Sequence, residues 1–296
     1  MQPSFRMQIL RDIASTLIVL IFMFPLFWWG LSSIKPYTAI FNKDGPVYFD
    51  FEPTLQNYSV TLLGKSRIAD TLEGGGTSGA GGGSSYDSRQ TILDSVLVAV
   101  GSTVLTIILA TLASYALSRM AMRGKQHFIF WILSQRFMPP IAAVIPVMFM
   151  FRDMHLLDTI LGLIFAHTLV NIPIAVLLLK SFFDDVPKDV DEAAMIDGAT
   201  RFQTFRRIVL PMVKGGIAAT AVLCFIFSWT EFLLSLYLTT SIRTLPVKIS
   251  TFVTSTGTEW GFITALGTSA IVPSFIFILL VQKHLVRGLT LGSLKD

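Results

Sequence analysis

With 296 residues, 52% of them hydrophobic and only 14% charged, the chain carries far less charge than the ~25% usual in soluble domains. A mean hydropathy of +0.65 places it among integral membrane proteins and excludes a soluble globular domain. The net charge of +4 gives no reason to expect nucleic acid, and the single cysteine, Cys224, excludes an intrachain disulfide or a cysteine-based metal site.

In chain order, residues 1–11 form a short basic tail. The run 12–34 is the first of six apolar stretches, each long enough for a hydrocarbon core of about 30 Å, which takes roughly 20 helical residues. It lacks a small-residue cleavage site and is too long for a signal-peptide core, so it reads as an uncleaved anchor. Residues 35–91 come next as an external loop. Its glycine-rich tract at 74–85 loses much backbone entropy on ordering and buries almost nothing, so it reads as a flexible link without chemistry. The remaining spans are expected at 92–118, 127–151, 157–179, 210–240 and 262–283, with a tail at 284–296. Backbone polar groups in lipid must be satisfied within the segment, so all six read as helices. No internal duplication is visible.

Orientation follows from the basic residues. With the N-terminus inside, 14 of the 23 Lys and Arg residues fall on cytoplasmic segments or at the cytoplasmic ends of spans, Lys214 and Lys283 being the two at span ends. That bias favours cytoplasmic termini at both ends.

The second large connection between spans, 180–214, is cytoplasmic and mixed in sign, and within it 184–207 has a pattern of its own. Pro187 suits the first turn of a helix, with Asp184 or Asp185 as possible caps. Lys188–Asp197 is rich in helix formers, Gly198 allows a backbone conformation that side chains disfavour, and a second short helix can run from Thr200 to Arg207. Asp191 and Glu192 can pair with basic groups, and Ala193 and Ala194 allow close approach. Phe202 and Phe205 are three apart and can share a face as anchors in a partner groove. An amphipathic helix resting on lipid headgroups would also explain Phe202, Phe205, Arg206 and Arg207, but not the spacing of Glu192-Ala193-Ala194, Gly198, Ile208 and Leu210-Pro211.

That spacing resembles the EAA loop of permease subunits in ABC importers. Phe182-Phe183 with Pro187, the run Ser228–Phe232 and the tail 285–296 are similar to the second permease subunit of maltose-type carbohydrate importers, and the likeness covers roughly 90–296. The glycine-rich insert matches no motif of that family. The resemblance implies an all-α integral membrane fold of six transmembrane helices with a cytoplasmic coupling helix-turn-helix. Its coupling residues would be Asp191, Glu192, Ala193, Ala194, Gly198, Phe202, Phe205, Arg206, Leu210 and Pro211.

It further implies a bacterial inner-membrane location and, as partners besides membrane lipid, a sister permease in a heterodimer, two ATP-binding subunits and an extracytoplasmic solute-binding protein. The chain itself would bind no cofactor; ATP and Mg would sit on the partner ATPase. The expected cargo is a sugar or sugar-like solute. An ion-coupled secondary transporter or a non-transporting membrane scaffold stands as the alternative.

Other motifs carry less. Gly64-Lys65-Ser66 imitates the end of a phosphate-binding loop, but Ser59 stands where its first glycine is required. Asn57-Tyr58-Ser59 is a coincidental glycosylation sequon, and the four histidines show no metal-ligand spacing. Polar groups inside apolar spans are costly, so Gln135, Arg136, His167, Asn171 and Glu231, with Trp229 as a ring that could stack on a sugar, are candidates for a translocation path. Interhelical hydrogen bonding and aromatic packing are the structural alternatives. Pro139-Pro140 in the third span marks either a kinked helix lining a cavity or ordinary packing curvature.

Overall fold

A computed structural model describes residues 5–42, 45, 47–64, 86–255 and 257–292. In chain order the helices are α1 (Phe5–Ser33), α2 (Tyr37–Ile40), α3 (Gln56–Leu63), α4 (Arg89–Arg119), α5 (Lys125–Ser134), α6 (Pro140–Asp153), α7 (Ile160–Asp184), α8 (Lys188–Ile196), α9 (Arg201–Thr204), α10 (Leu210–Met212), α11 (Lys214–Trp229), α12 (Leu233–Leu238), α13 (Leu245–Ser250) and α14 (Trp260–Gly292). A two-stranded hairpin, β1 (Val253–Thr254) and β2 (Gly257–Thr258), precedes α14. Among the described residues, α1, α4, α7 and α14 hold the 4 helices long and apolar enough to cross a membrane. Two bent pairs raise the number to 6 if each pair is one span.

The chain divides into two compact units, 1–90 with 249–271 and 91–248 with 272–296. In the first, the end of α1 is held by a buried asparagine. Asn57 Nδ2 donates to the carbonyls of Ser33 and Lys35, each at 2.9 Å, groups of the kind a helix terminus leaves free. The amide is thus engaged by backbone. Lys35 donates to the Val47 carbonyl at 2.7 Å and lies 4.6 Å from the centre of the Trp28 ring. Burial holds its ammonium below the ordinary lysine range. Part of the region expected to be a plain external loop is therefore helical and tied down. The tract at 74–85 and Lys65 lie outside the described residues. None of the most hydrophobic window of α1 is buried within the chain.

The second unit has a core in which Leu117 of α4, Val176, Leu179 and Phe183 of α7, and Cys224 of α11 pack with Phe205 and Val209. The approach of α7 and α11 depends on a missing side chain. A Cβ at Gly216 would lie 2.2 Å from the Phe182 ring, the close contact that small residues permit between membrane helices.

The expected single helix at 127–151 is broken. A 3₁₀ turn at Gln135–Phe137 ends α5, Met138 and Pro139 are extended (ψ 125° for both), and α6 departs at 100°. The cause is the proline pair. Each proline lacks an N–H, and each disfavours helical conformation in the residue before it.

The expected fifth span also begins and ends elsewhere. The helical segment Arg201–Met212 meets α11 at 74°, and α11 stops at Trp229. At 16 residues it covers roughly 24 Å. The last helix runs on to Gly292 through part of the expected tail, and Ser293 onward lies outside the described residues.

Between α6 and α7 the connection is held by Asp158, at φ +56°. Its carboxylate accepts from the backbone N–H groups of Thr240, Ser241 and Ile242 at 3.0–3.1 Å and from Ser241 Oγ at 2.6 Å. Burial opposes its ionisation, but these hydrogen bonds outweigh it and hold the carboxyl well below the usual carboxylate range.

Candidate functional site

The segment 184–212 folds from local signals. Pro187, not Asp184 or Asp185, occupies the position before α8, with no side-chain cap. Asp184 instead belongs to the end of α7, where it accepts from Ser118 Oγ at 2.6 Å and pairs with Lys180. Gly198 ends the helix with φ +87° and open space where a Cβ would sit. The glycine is required by backbone conformation, not by crowding. Thr200 then forms a capping box with Gln203: its hydroxyl accepts from Gln203 N, and Gln203 Oε1 accepts from Thr200 N at 2.8 Å. Residues Phe205–Val209 wind as a π-helical turn before α10, so the second helix does not stop at Arg207.

This segment has two faces. Glu192, Ala193, Met195, Ile196, Phe202, Arg206 and Pro211 are exposed, with Ile196 at 86% and Phe202 at 64%. Asp191 and Ala194, three apart, are buried. Leu210 is half-buried against the core. The pairing of Phe202 and Phe205 as outward anchors is corrected. Phe205 is 7% exposed and packs 4.7 Å from Tyr115 and 6.5 Å from Phe183, ring centre to ring centre. The two rings remain neighbours, 6.2 Å apart, but the edge of the core falls between them, with Phe205 buried and Phe202 exposed. Ala194 is likewise buried within its own chain, whereas Ala193 is exposed.

Asp191 is engaged within the chain. Its Oδ2 lies 2.9 Å from Arg119 Nε, in a pair whose side chains are 8% (Arg119) and 10% (Asp191) exposed. Its Oδ1 accepts from the Tyr115 hydroxyl at 3.1 Å. Breaking such a buried pair from one side costs about 3–5 kcal/mol.

The second candidate set is a buried cluster where α4, α7, α11 and α12 meet. His167 Nδ1 is 2.6 Å from Ser228 Oγ, which is 2.8 Å from Ser102 Oγ. His167 Nε2 is 3.3 Å from Glu231 Oε2. The Glu231 carboxylate also accepts from the backbone N–H groups of Leu234 at 2.8 Å and Ser235 at 3.2 Å, and so caps α12. Asn171 donates to the Cys224 carbonyl at 3.3 Å, while its buried Oδ1 has no hydrogen-bond partner among the described residues.

The remaining path candidates lie apart from this cluster in character. Gln135 and Arg136 are exposed, and the Arg136 guanidinium lies 5.5 Å from the centre of the Phe227 ring. Trp229 is buried and stacked on Phe225, which stacks in turn on Phe277 at 3.9 Å. The ring is thus engaged in aromatic packing on Phe225.

Tyr115, Arg119, Met195 and Ile196 were not singled out by sequence reasoning, nor were Ser102 and Ser235. Met195 and Ile196 carried a signal, an apolar pair in a polar connection. The serines carried a weaker one, hydroxyls recurring inside apolar helices. Among the described residues no group of His, Cys, Asp and Glu is arranged to hold a metal ion.

Residues 103–291 match the model of the binding-protein-dependent transport system inner membrane component family. The chain belongs to that family: it is a permease subunit of a carbohydrate-type ABC importer, a multi-pass inner-membrane protein whose ATP hydrolysis takes place on a partner chain. It is similar to the sulfoquinovosyl glycerol transport system permease protein SmoH of Agrobacterium fabrum, 31% identical over 97% of this chain and 93% of that one. It is also similar to the trehalose transport system permease protein SugB of Mycobacterium tuberculosis, 31% identical over 96% of each chain. Its fold matches a chain in the crystal structure of a bacterial ABC transporter involved in import of the acidic polysaccharide alginate, with TM-score 0.69, 21% identity and coverage of 96% of this chain and 98% of that one. The family's name implies a solute-binding protein as partner, and membership among ABC importers implies an ATPase.

Proposed function

We propose that this subunit, paired with a sister permease, moves a sugar or sugar-like solute such as a polyol into the cytoplasm by alternating access. The two ATP-binding subunits, carrying ATP and Mg, dock on α8 and the segment after it, and a solute-binding protein delivers the cargo on the opposite side. In this reading the chain has six spans, with the two bent pairs each counted once, and both termini are cytoplasmic. ATP-driven closure of the ATPase dimer pushes on 191–212, and the helices rock between two orientations.

The observation that carries this reading is the outward face of α8 and α9. Ile196, Phe202 and Met195 stand exposed beside Glu192 and Arg206 in a connection between spans, an apolar centre with a charged rim. The sugar class rests on SmoH and SugB, named for sulfoquinovosyl glycerol and trehalose. The apolar surface of α1, unburied within the chain, suits lipid and a sister subunit. Ion coupling is disfavoured by Glu231, whose carboxylate is already engaged by a helix N-terminus and His167.

The test purifies the complex through this subunit and measures ATPase stoichiometry, then hydrolysis stimulated by the binding protein loaded from a panel of sugars and polyols. Glu192→Lys is expected to insert normally and lose ATPase subunits. Full retention with wild-type stimulation would remove α8 from the docking surface.

A further inference from the structure

We propose that Arg119 and Tyr115 are positioning residues for coupling: with Asp191 they form a buried strut that carries any displacement of α8 directly into the end of α4. The strut builds on the reading of α8 as the element that meets the ATPase, and it assigns Asp191 to the inner side of that element instead of to the docking surface.

Four elements converge on this point. Arg119 is the last residue of α4, and its Nε lies 2.9 Å from Asp191 Oδ2 on α8. Its Nη2 donates to the carbonyl of Val186 at 2.8 Å, immediately before the proline that starts α8. The neighbouring Ser118 Oγ donates to Asp184 Oδ1 at 2.6 Å, at the end of α7. Tyr115, one turn back on α4, donates to Asp191 Oδ1 at 3.1 Å and presses its ring against Phe205 in the π-helical turn. Both charged side chains are at least nine-tenths shielded from solvent.

Two physical points make this a device for geometry. An ion pair excluded from water is seldom a better stabiliser than an apolar contact of the same volume. The direction comes from the two hydrogen bonds that flank the pair: Arg119 Nη2 to the Val186 carbonyl and the Tyr115 hydroxyl to Asp191 Oδ1 hold distances and angles that an apolar contact does not, while Nε and Oδ2 meet at ion-pair distance without hydrogen-bond alignment. The pair also joins the shortest route between a small element and a long one. The 31 residues of α4 extend roughly 46 Å, so a shift at Arg119 is delivered to the far end without passing through the turn at Val186-Pro187. Glu192 and Asp191 are then adjacent residues with separate work, one facing the partner and one facing the strut.

Double electron–electron resonance tests this on the complete importer. Spin labels are placed at Lys188→Cys on α8 and Leu109→Cys on α4, both exposed, on a Cys224→Ala background. Distances are read without nucleotide and after trapping with Mg-ATP and vanadate. With the strut intact, one narrow distance persists in both states. With Arg119→Met or Asp191→Asn, ATPase stoichiometry stays at the wild-type ratio and the distribution broadens at least twofold on trapping. Tyr115→Phe, which keeps the ring and removes one hydrogen bond, gives a smaller broadening. Wild-type distributions in the variants overturn the strut, as does a wild-type distance that itself changes on trapping. If Arg119→Met and Asp191→Asn reduce the amount of assembled complex while Tyr115→Phe keeps the narrow distance in both states, the contact is purely structural and the strut is again overturned. Loss of ATPase subunits in Asp191→Asn would return Asp191 to the docking surface. Full ATPase retention in Glu192→Lys would count against the coupling reading alone, because the α8–α4 distance is measured independently of it.

Discussion

The segment 188–212 and the cluster around His167 are both polar islands in an apolar chain, and they turn their polar groups in opposite directions. Around His167, Ser102, Ser228, Ser235 and Glu231 face one another across α4, α7, α11 and α12. Along α8, one side holds Asp191 inward and the other leaves Glu192, Met195 and Ile196 without cover from this chain. A polar group in an apolar span is therefore not by itself a sign of cargo contact. What separates a structural group from one that meets a partner is whether its hydrogen bonds close within the subunit.

The comparison breaks most visibly at His167. His167→Leu removes the shared partner of Ser228 and Glu231 in a buried site, and leaving such groups unpaired costs about 1–3 kcal/mol. Folded protein in detergent should fall several-fold, with a melting temperature lower by several degrees. Normal yield and melting with abolished uptake would move the cluster into the path. Gly198→Val comes next. A branched residue at φ +87° strains the backbone by about 1–3 kcal/mol. Insertion should be unchanged, and sugar-stimulated ATP hydrolysis should drop about tenfold. Unaltered stimulation would show that the turn is not needed for docking.

Arg136→Met sharpens the contrast from the third side. Arg136 is exposed, so assembly and melting should match wild type while uptake falls a few-fold; unchanged uptake would leave its contact with Phe227 as its only role. The smallest effect is expected at Asp158, which lies at the loop between α6 and α7. Its carboxyl is held below the ordinary range, so its contribution is complete above the unfolded value of about 4 and is lost as pH falls through the lower folded value. Melting of wild type should therefore decline on acidification below about pH 4. Asp158→Asn should lower the neutral-pH melting temperature slightly and flatten part of that decline. An identical pH profile in the variant would show that Asp158 is not the group titrating.

Much of the architecture was legible because it depends on local composition. Apolar length marked α1, α4, α7 and α14 but not the breaks in the third and fifth stretches, while Pro187 and Gly198 marked the start and stop of α8 and Thr200 the start of α9. The loop pattern also led to the family. The inward turn of Phe205 was hidden because residues three apart on a helix are neighbours without sharing the same exposure, and the rings that bury Phe205, Tyr115 and Phe183, lie far along the chain. Arg119 read as one more basic residue beside a span, because nothing in its neighbours reveals that Asp191, far along the chain, closes on it. The break at 139–140 was announced by its prolines, but its size was not, since a proline pair fixes where a helix fails and not the angle at which the chain leaves.

That break has a consequence for solvation. Neither Pro139 nor Pro140 can donate to the carbonyls of Gln135 and Arg136, four residues earlier, and the chain then turns through 100°. The two arms, 10 residues in α5 and 14 in α6, reach only about 15 Å and 21 Å, so neither spans a hydrocarbon core of about 30 Å alone. Bare acyl chains cannot solvate the backbone at such a corner. Water or another chain must meet it, so this corner has a demand for wetting that a continuous helix of the same composition would lack.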